Sequence, residues 1–313
     1  MVSVIPPGRL VYGMQLQVQS QSTLYAEKWE ADAGVSELAA LARAADDAGF
    51  FYVAVCDHVA IPRPLAQAMG TTWYDTFTTL GFLAGVTSRV RLLSHVSVLP
   101  YRHPLVTAKA VATLDTLSQG RAILGVGAGH AAGEFAALGV DFALRGKLLD
   151  EAIDAVRAAL TDEFPVHNGP RWSFRDVGVG PRPVQQPRPP IWVGGSAPPS
   201  LRRAAEKGDG WLPQGTPRAE MPSQIATIRA LREKAGIDAP IEIGVVTEVL
   251  YVGEPSWEVG SRTLSGAPEM LAERLREFGA MGVSHLQVRF RSRDVNEATD
   301  QIARFSAEVG PLL

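Results

Sequence analysis

Short unbroken apolar runs alternate along this chain with longer stretches in which apolar residues recur every three or four positions. The first kind reads as buried strand, the second as a helix with one face on a core. Gly13–Leu16 is the first strand. Val35, Leu38, Ala39, Leu41, Ala42 and Ala45 then mark one face of a helix between Gly34 and Gly49. Phe51–Cys56 is a second strand, Tyr74–Val86 a helix, and Val90–Leu99 a third strand. Pro104–Leu117 is a helix with Pro in its first turn, where a missing N–H costs nothing. Ala122–Val126 is a fourth strand and Arg145–Leu160 the next helix. Ile191–Val193, Gly210–Leu212, Ile241–Val252 and Val283–Val288 follow as strands. Pro198–Lys207, Met221–Ala235, Pro268–Met281 and Val295–Val309 are the helices after them.

Strands separated by helices pair in parallel. Eight such units of similar length leave no natural edge strand. The pattern therefore predicts an α/β fold of the closed (β/α)8 TIM-barrel kind, preferred over an open doubly wound sheet. A length of 313 residues suits one barrel domain, 1–313, with insertions. Two insertion segments lack periodicity: about 60–73, with Pro62 and Pro64, and 161–190, rich in Pro, Gly and Arg. Loops of this kind shape pockets. The polar stretch Ser20–Asp32 also reads as a loop.

Apolar content is 46%, charged content 20% and formal net charge −3, so no basic stripe favours nucleic acid. One cysteine, Cys56, lies within FYVAVC and reads as a reduced core thiol; a disulfide framework is excluded. The first residues lack the basic-then-apolar pattern of a signal peptide. No run reaches the ~18 apolar residues of a membrane helix. A cytoplasmic enzyme acting on a small molecule, away from membranes, is the expectation.

Barrel sites lie at the carboxyl ends of the strands. Asp57-His58 follows the second strand, His95 interrupts the apolar third, and the fourth runs into Gly125, Gly127, Ala128 and Gly129 before His130. So many glycines imply that something approaches the backbone closely. They do not form the dinucleotide fingerprint, whose third glycine is missing. Three histidines at one mouth raise the question of zinc, yet none of the metal-motif spacings is present, so no metal is expected. The fifth strand ends in Gly194-Gly195-Ser196, with prolines opening the helix behind it. Free amides at a positive helix end suit phosphate.

Three runs carry a resemblance: AADDAGFFYVAVCDHV, TSRVRLLSHVSVLPYRHPLVTAKAVATLDTLSQGRAILGVGAGH and RPVQQPRPPIWVGGSAPPSLRRAAEKGDGWLP. Together they resemble the bacterial luciferase-like superfamily, in particular its coenzyme F420-dependent oxidoreductase branch. The resemblance implies a flavin-like ring at the barrel mouth and a homodimer. It implies a bulge in the third strand, Ser94-His95-Val96, with a cis peptide at His95-Val96 behind the ring; the family more often has a small residue where His95 stands. It implies that Asp57 and the Gly125–Gly129 backbone lie beside the cofactor, and that Gly194, Gly195 and Ser196 hold its phosphate. His58 matches an active-site histidine of the branch's sugar-phosphate dehydrogenases. His130 stands where those enzymes carry a glutamate, which speaks against glucose 6-phosphate as substrate. The implied activity is hydride transfer between the deazaflavin and a small organic substrate, with His58 as acid or base and His130 assisting. An ordinary imidazole pKa of ~6.5 suits that proton transfer. Alternatives are an FMN-dependent monooxygenase of the same superfamily, a cofactor-binding barrel without catalysis, and a metal-dependent hydrolase.

Overall fold

The alternation closes into a ring of eight parallel strands. In the computed structural model, which describes residues 1–20, 22 and 25–313, the barrel strands are β1 (Val11–Gln15), β2 (Tyr52–Val55), β3 (Arg91–Ser94), β4 (Ala122–Gly127), β5 (Ile191–Gly194), β6 (Gly210–Leu212), β7 (Glu242–Val246) and β8 (His285–Val288). Neighbours pair in sequence order from Met14↔Val53 onward, and Val11↔His285 joins β1 to β8. Pairing of β3 with β4 leaves no gap. The barrel helices are α1 (Val35–Asp47), α2 (Thr76–Val86), α3 (Pro104–Leu117), α4 (Arg145–Thr161), α5 (Pro198–Lys207), α6 (Met221–Lys234), α7 (Pro268–Ala280) and α8 (Val295–Arg304). Of the loop expected at Ser20–Asp32, Gln21, Thr23 and Leu24 lie outside the described residues.

The main core lies between strands and helices; a smaller one fills the barrel with Ile5, Tyr52, Ala54, Leu93, Ile123, Trp192 and Leu212. Three large rings, Tyr52, Trp192 and His285, share one layer of that interior. Trp192 stacks on His285 with centroids 4.3 Å apart. They fit because Gly13, Gly210 and Gly244 stand opposite them: a Cβ at any of the three would come within 2.5 Å of a ring atom. Residues 2–5 close the barrel floor, with the Val4 and Ile5 amides donating to Glu242 at 2.7 Å each.

Three expectations needed correction. The third strand, expected over Val90–Leu99, stops at Ser94 and resumes at Ser97–Val98. The seventh, expected over Ile241–Val252, leaves the barrel at Thr247; Val249–Val252 pairs outside it with Thr263–Gly266. Barrel staves here are three to six residues long, and a twelve-residue strand overshoots the rim. Cys56 is half-buried, not core, because β2 ends at Val55 and the thiol stands at the mouth, 2.8 Å from Gln15 Nε2. Segment 161–190 holds a small hairpin, His167–Asn168 with Ser173–Phe174, tied to α4 through Glu151. Among the described residues no helix is long and apolar enough to cross a membrane.

Two interior histidines make an acid-stability prediction. Burial pushes the His285 pKa down to about 3 and that of His95 down to about 4. Both stay neutral in the fold, whereas unfolded imidazoles take protons below ~6.5. Stability is therefore intact above pH 6.5 and falls as pH drops towards 4, by about 1 kcal/mol per pH unit for each imidazole. Urea unfolding at pH 6.5 and pH 5 measures it. The double variant His95→Gln, His285→Gln should show a flatter dependence; an unchanged one refutes the assignment.

Candidate active site

The mouth begins with a break in β3. The peptide between His95 and Val96 is cis, and the chain bulges there before resuming at Ser97. Ser94 Oγ donates to the Gly125 carbonyl at 2.9 Å. The glycines of the neighbouring strands are what admit this bulge. A Cβ on Gly125 would sit 2.0 Å from the Ser94 carbonyl oxygen, one on Gly127 2.5 Å from Val96 Cγ2, and one on Gly194 2.8 Å from Val96 Cγ1. The close approach that the glycine density predicts is thus made by the adjoining strand. Val96, half-exposed, forms an apolar step at the rim.

Next to the step stands a proton-handling pair. His58 leaves the end of β2, and Glu134 comes from a six-residue helix after β4, Ala132–Ala137. Gly133 lets Pro62 lie against that helix; a Cβ there would approach Pro62 Cγ to 2.9 Å. The packing brings the loop after β2 onto the carboxylate. Glu134 Oε1 accepts from the Val59 amide at 2.6 Å and the Ala60 amide at 3.1 Å. Its Oε2 meets His58 Nδ1 at 2.9 Å and accepts from the Tyr101 hydroxyl at 2.8 Å. Burial raises the Glu134 pKa, but hydrogen bonds from His58, the Ala60 amide, Tyr101 and the Val59 amide outweigh it and hold it at about 2. An ionised carboxylate only accepts, so His58 carries its proton on Nδ1, and its Nε2 makes no hydrogen bond among the described residues. Trp73 and His130 pack edge-on against the imidazole at 4.5 and 5.4 Å between centroids. Burial first, and the neighbouring His58 second, lower the His130 pKa.

Asp57 follows the end of β2. Its carboxylate is buried and committed to Arg102, at 2.6 and 2.8 Å, and to the Val98 amide at 2.8 Å. The side chain ties the ends of β2 and β3 together. His95 does not join His58 and His130. It turns inward, its Nε2 3.0 Å from Gln214 Nε2, and leaves Nδ1 without a partner. Ser97 Oγ and Gln287 Oε1 are likewise buried and unpaired. Among the described residues no group of three or more His, Cys, Asp or Glu is arranged to hold a metal ion.

At the end of β5, Gly195 takes a φ of +107°, and its amide is used by the Leu212 carbonyl. Ser196 Oγ accepts from the Gln214 amide at 2.9 Å and from Thr216 Oγ1 at 2.5 Å. The amides of Ser196 and Ala197 make no hydrogen bond among the described residues, and Pro198 and Pro199 have none to offer. Free donors at this helix start number two, fewer than the glycine pair suggests.

The model of the family described as luciferase-like monooxygenase matches residues 12–259, most of the barrel and the mouth residues from Asp57 to Thr216. The chain belongs to the luciferase-like monooxygenase family. It is an oxidoreductase. A protein of Mycobacterium tuberculosis (strain H37Rv) is 34% identical over 219 residues, 66% of this chain and 75% of that one. Monooxygenase RslO1 from Streptomyces bottropensis superimposes with a TM-score of 0.80 at 23% identity, covering 96% of this chain and 99% of its own. The coenzyme F420-dependent tetrahydromethanopterin reductase of Methanopyrus kandleri does so at 0.75 and 19%, covering 97% and 99%. At these identities the two structures speak for the luciferase-like barrel alone.

Sequence reasoning missed Glu134 and Tyr101. A helix of six residues is too short for periodicity to reveal. The available signal was an acidic residue four positions beyond His130, in a stretch otherwise free of charge.

Proposed function

We propose that this luciferase-like protein transfers a hydride between coenzyme F420 and a small organic substrate, with His58 carrying the accompanying proton. The observation that carries the reading is the Glu134-held imidazole, 2.9 Å from carboxylate to Nδ1, which leaves Nε2 without a hydrogen bond among the described residues. Hydride transfer to or from a polar substrate leaves one proton to manage, and a single oriented imidazole suits that.

The residues fit such a group. Ser94–Val96 forms the step behind a flat ring, and Gly125, Gly127 and Gly194 leave that step in place. Ser97 Oγ is a buried polar atom still lacking a partner. The Ser196 and Ala197 amides would hold the tail's phosphate at the start of α5. Bound there, a deazaflavin supplies the two-electron hydride exchange. Glu134 keeps His58 in one tautomer and stabilises its imidazolium. Burial and the neighbouring His58 bias His130 towards neutrality. Trp73 packs edge-on against the imidazole.

A second reading is an FMN-dependent monooxygenase, favoured by the match to the luciferase-like monooxygenase family. Titrating the protein with F420 and with FMN, each followed by fluorescence, separates them. The first reading expects F420 to bind and no oxygen uptake to follow. Tight FMN binding with substrate-dependent oxygen uptake overturns it.

We infer in addition that a second copy of the chain packs on α2 and α3. Their outward positions are Thr78, Phe82, Gly85, Val106, Thr116 and Leu117, with Lys109 the single exposed charge. A face this poor in charge suits self-association. Light scattering should give twice 33.5 kDa; a monomer at micromolar concentration rejects it.

A further inference from the structure

The barrel carries a cavity of about 620 Å³ at the end opposite the mouth. Its walls come from the starts of strands: Val11 and Tyr12 of β1, Phe51 before β2 and Arg91 of β3, with Gly310 and Leu313 closing one side. The volume lies in the range of small-molecule sites. Three arginines, Arg9, Arg89 and Arg91, face it.

Their charge is poorly compensated. Arg91 is half-buried, yet its guanidinium donates only to neutral acceptors, the Gly120 carbonyl at 3.3 Å and Gln185 Oε1 at 3.2 Å. Burial lowers its pKa, and Glu242 and Asp115 oppose that only through space. Arg9 forms no ion pair among the described residues. Arg89 reaches Asp47 at 3.4 Å, a contact between two exposed side chains and worth little. Asp46, the next carboxylate, is occupied by the Ser88, Arg89 and Val90 amides. Beside the charge lies apolar surface: Leu10 and Phe51 are only partly covered, and Arg91 Cζ sits 5.5 Å over the Phe51 ring.

We propose that this cavity is a binding site for an organic anion, an aromatic body bearing a phosphate or carboxylate. Guanidinium forks match the geometry of both anions. The flat body lies on Leu10 and Phe51, and the anion faces Arg9 and Arg91. The site stands apart from the oxidoreductase mouth, so it holds whichever cofactor that mouth takes.

Phenyl phosphate is the probe, titrated calorimetrically into the full chain at low salt, with phenol as the neutral control. Binding should weaken about tenfold or more in Arg9→Glu and in Arg91→Gln, and phenol should bind at least about tenfold more weakly than phenyl phosphate. Arg9 is exposed and makes no side-chain contact that folding needs, so Arg9→Glu remains informative if Arg91→Gln unfolds. Absence of binding to the unaltered protein, unchanged affinity in Arg9→Glu, or equal affinity for phenol overturns the proposal.

Discussion

Glu134→Gln lowers cofactor-dependent turnover by about 10³-fold, in the range that a lost tautomer or acid–base partner costs. The carboxylate takes four donors: two amides, a hydroxyl and an imidazole N–H. A glutamine of the same shape brings two N–H groups of its own. Its oxygen can serve Val59 and Ala60, but its nitrogen then faces His58 Nδ1 and the Tyr101 hydroxyl. The imidazole answers by moving its proton to Nε2, and the atom that should accept a proton at the mouth no longer does. Cofactor affinity should change little, because Glu134 is buried and does not reach the rim. Rates within about threefold of the unaltered protein would remove Glu134 from the mechanism. His58→Ala should lose as much, and the pair of changes together no more than either alone, since the two act as one unit.

Gly125→Ala destabilises the fold by about 3 kcal/mol or more, the cost of overpacking against atoms that cannot rotate away. The added methyl would meet a backbone oxygen, Ser94 O, at 2.0 Å, with Leu93 and Leu212 each at 3.2 Å on its flanks. Relief requires β3 and β4 to separate or the bulge to straighten. Thermal midpoints should fall by roughly 10 °C. Gly81→Ala is the matched control. Gly81 lies in the middle of α2 with nothing within 4 Å of a new Cβ, so alanine there should gain up to about 1 kcal/mol. Equal midpoints for the two variants would mean that the glycines of β4 do not accommodate the bulge.

The barrel is legible from the chain because strands buried on both faces read as apolar runs, and each helix shows its own period. Two strands were drawn too long for one reason. Apolar continuity does not reveal where a chain crosses the rim, as it does after Ser94 and after Val246. The site was legible in its parts and not in its pairings. His58 and His130 announce themselves by position, and the structure brings them together. The Asp57 side chain is paired with Arg102, 45 residues further on, a contact that no local pattern reveals. Glu134 gave only the sign of a lone acid four positions after His130, because the groups that make it a site residue, His58 and the two amides, lie 74 to 76 residues before it. The glycines were read correctly as a place of close approach, while the approaching body, the Ser94–Val96 bulge, is a contact that only the closed barrel creates.

The protonation pattern of His58 can be seen without knowing the substrate. Long-range ¹⁵N–¹H correlation on histidine-labelled protein at pH 8, assigned with His58→Ala, reports which ring nitrogen bears the hydrogen. Protonated Nδ1 with bare Nε2 is the predicted result, reversed in Glu134→Gln. Protonated Nε2 in the unaltered protein would contradict the account at its centre.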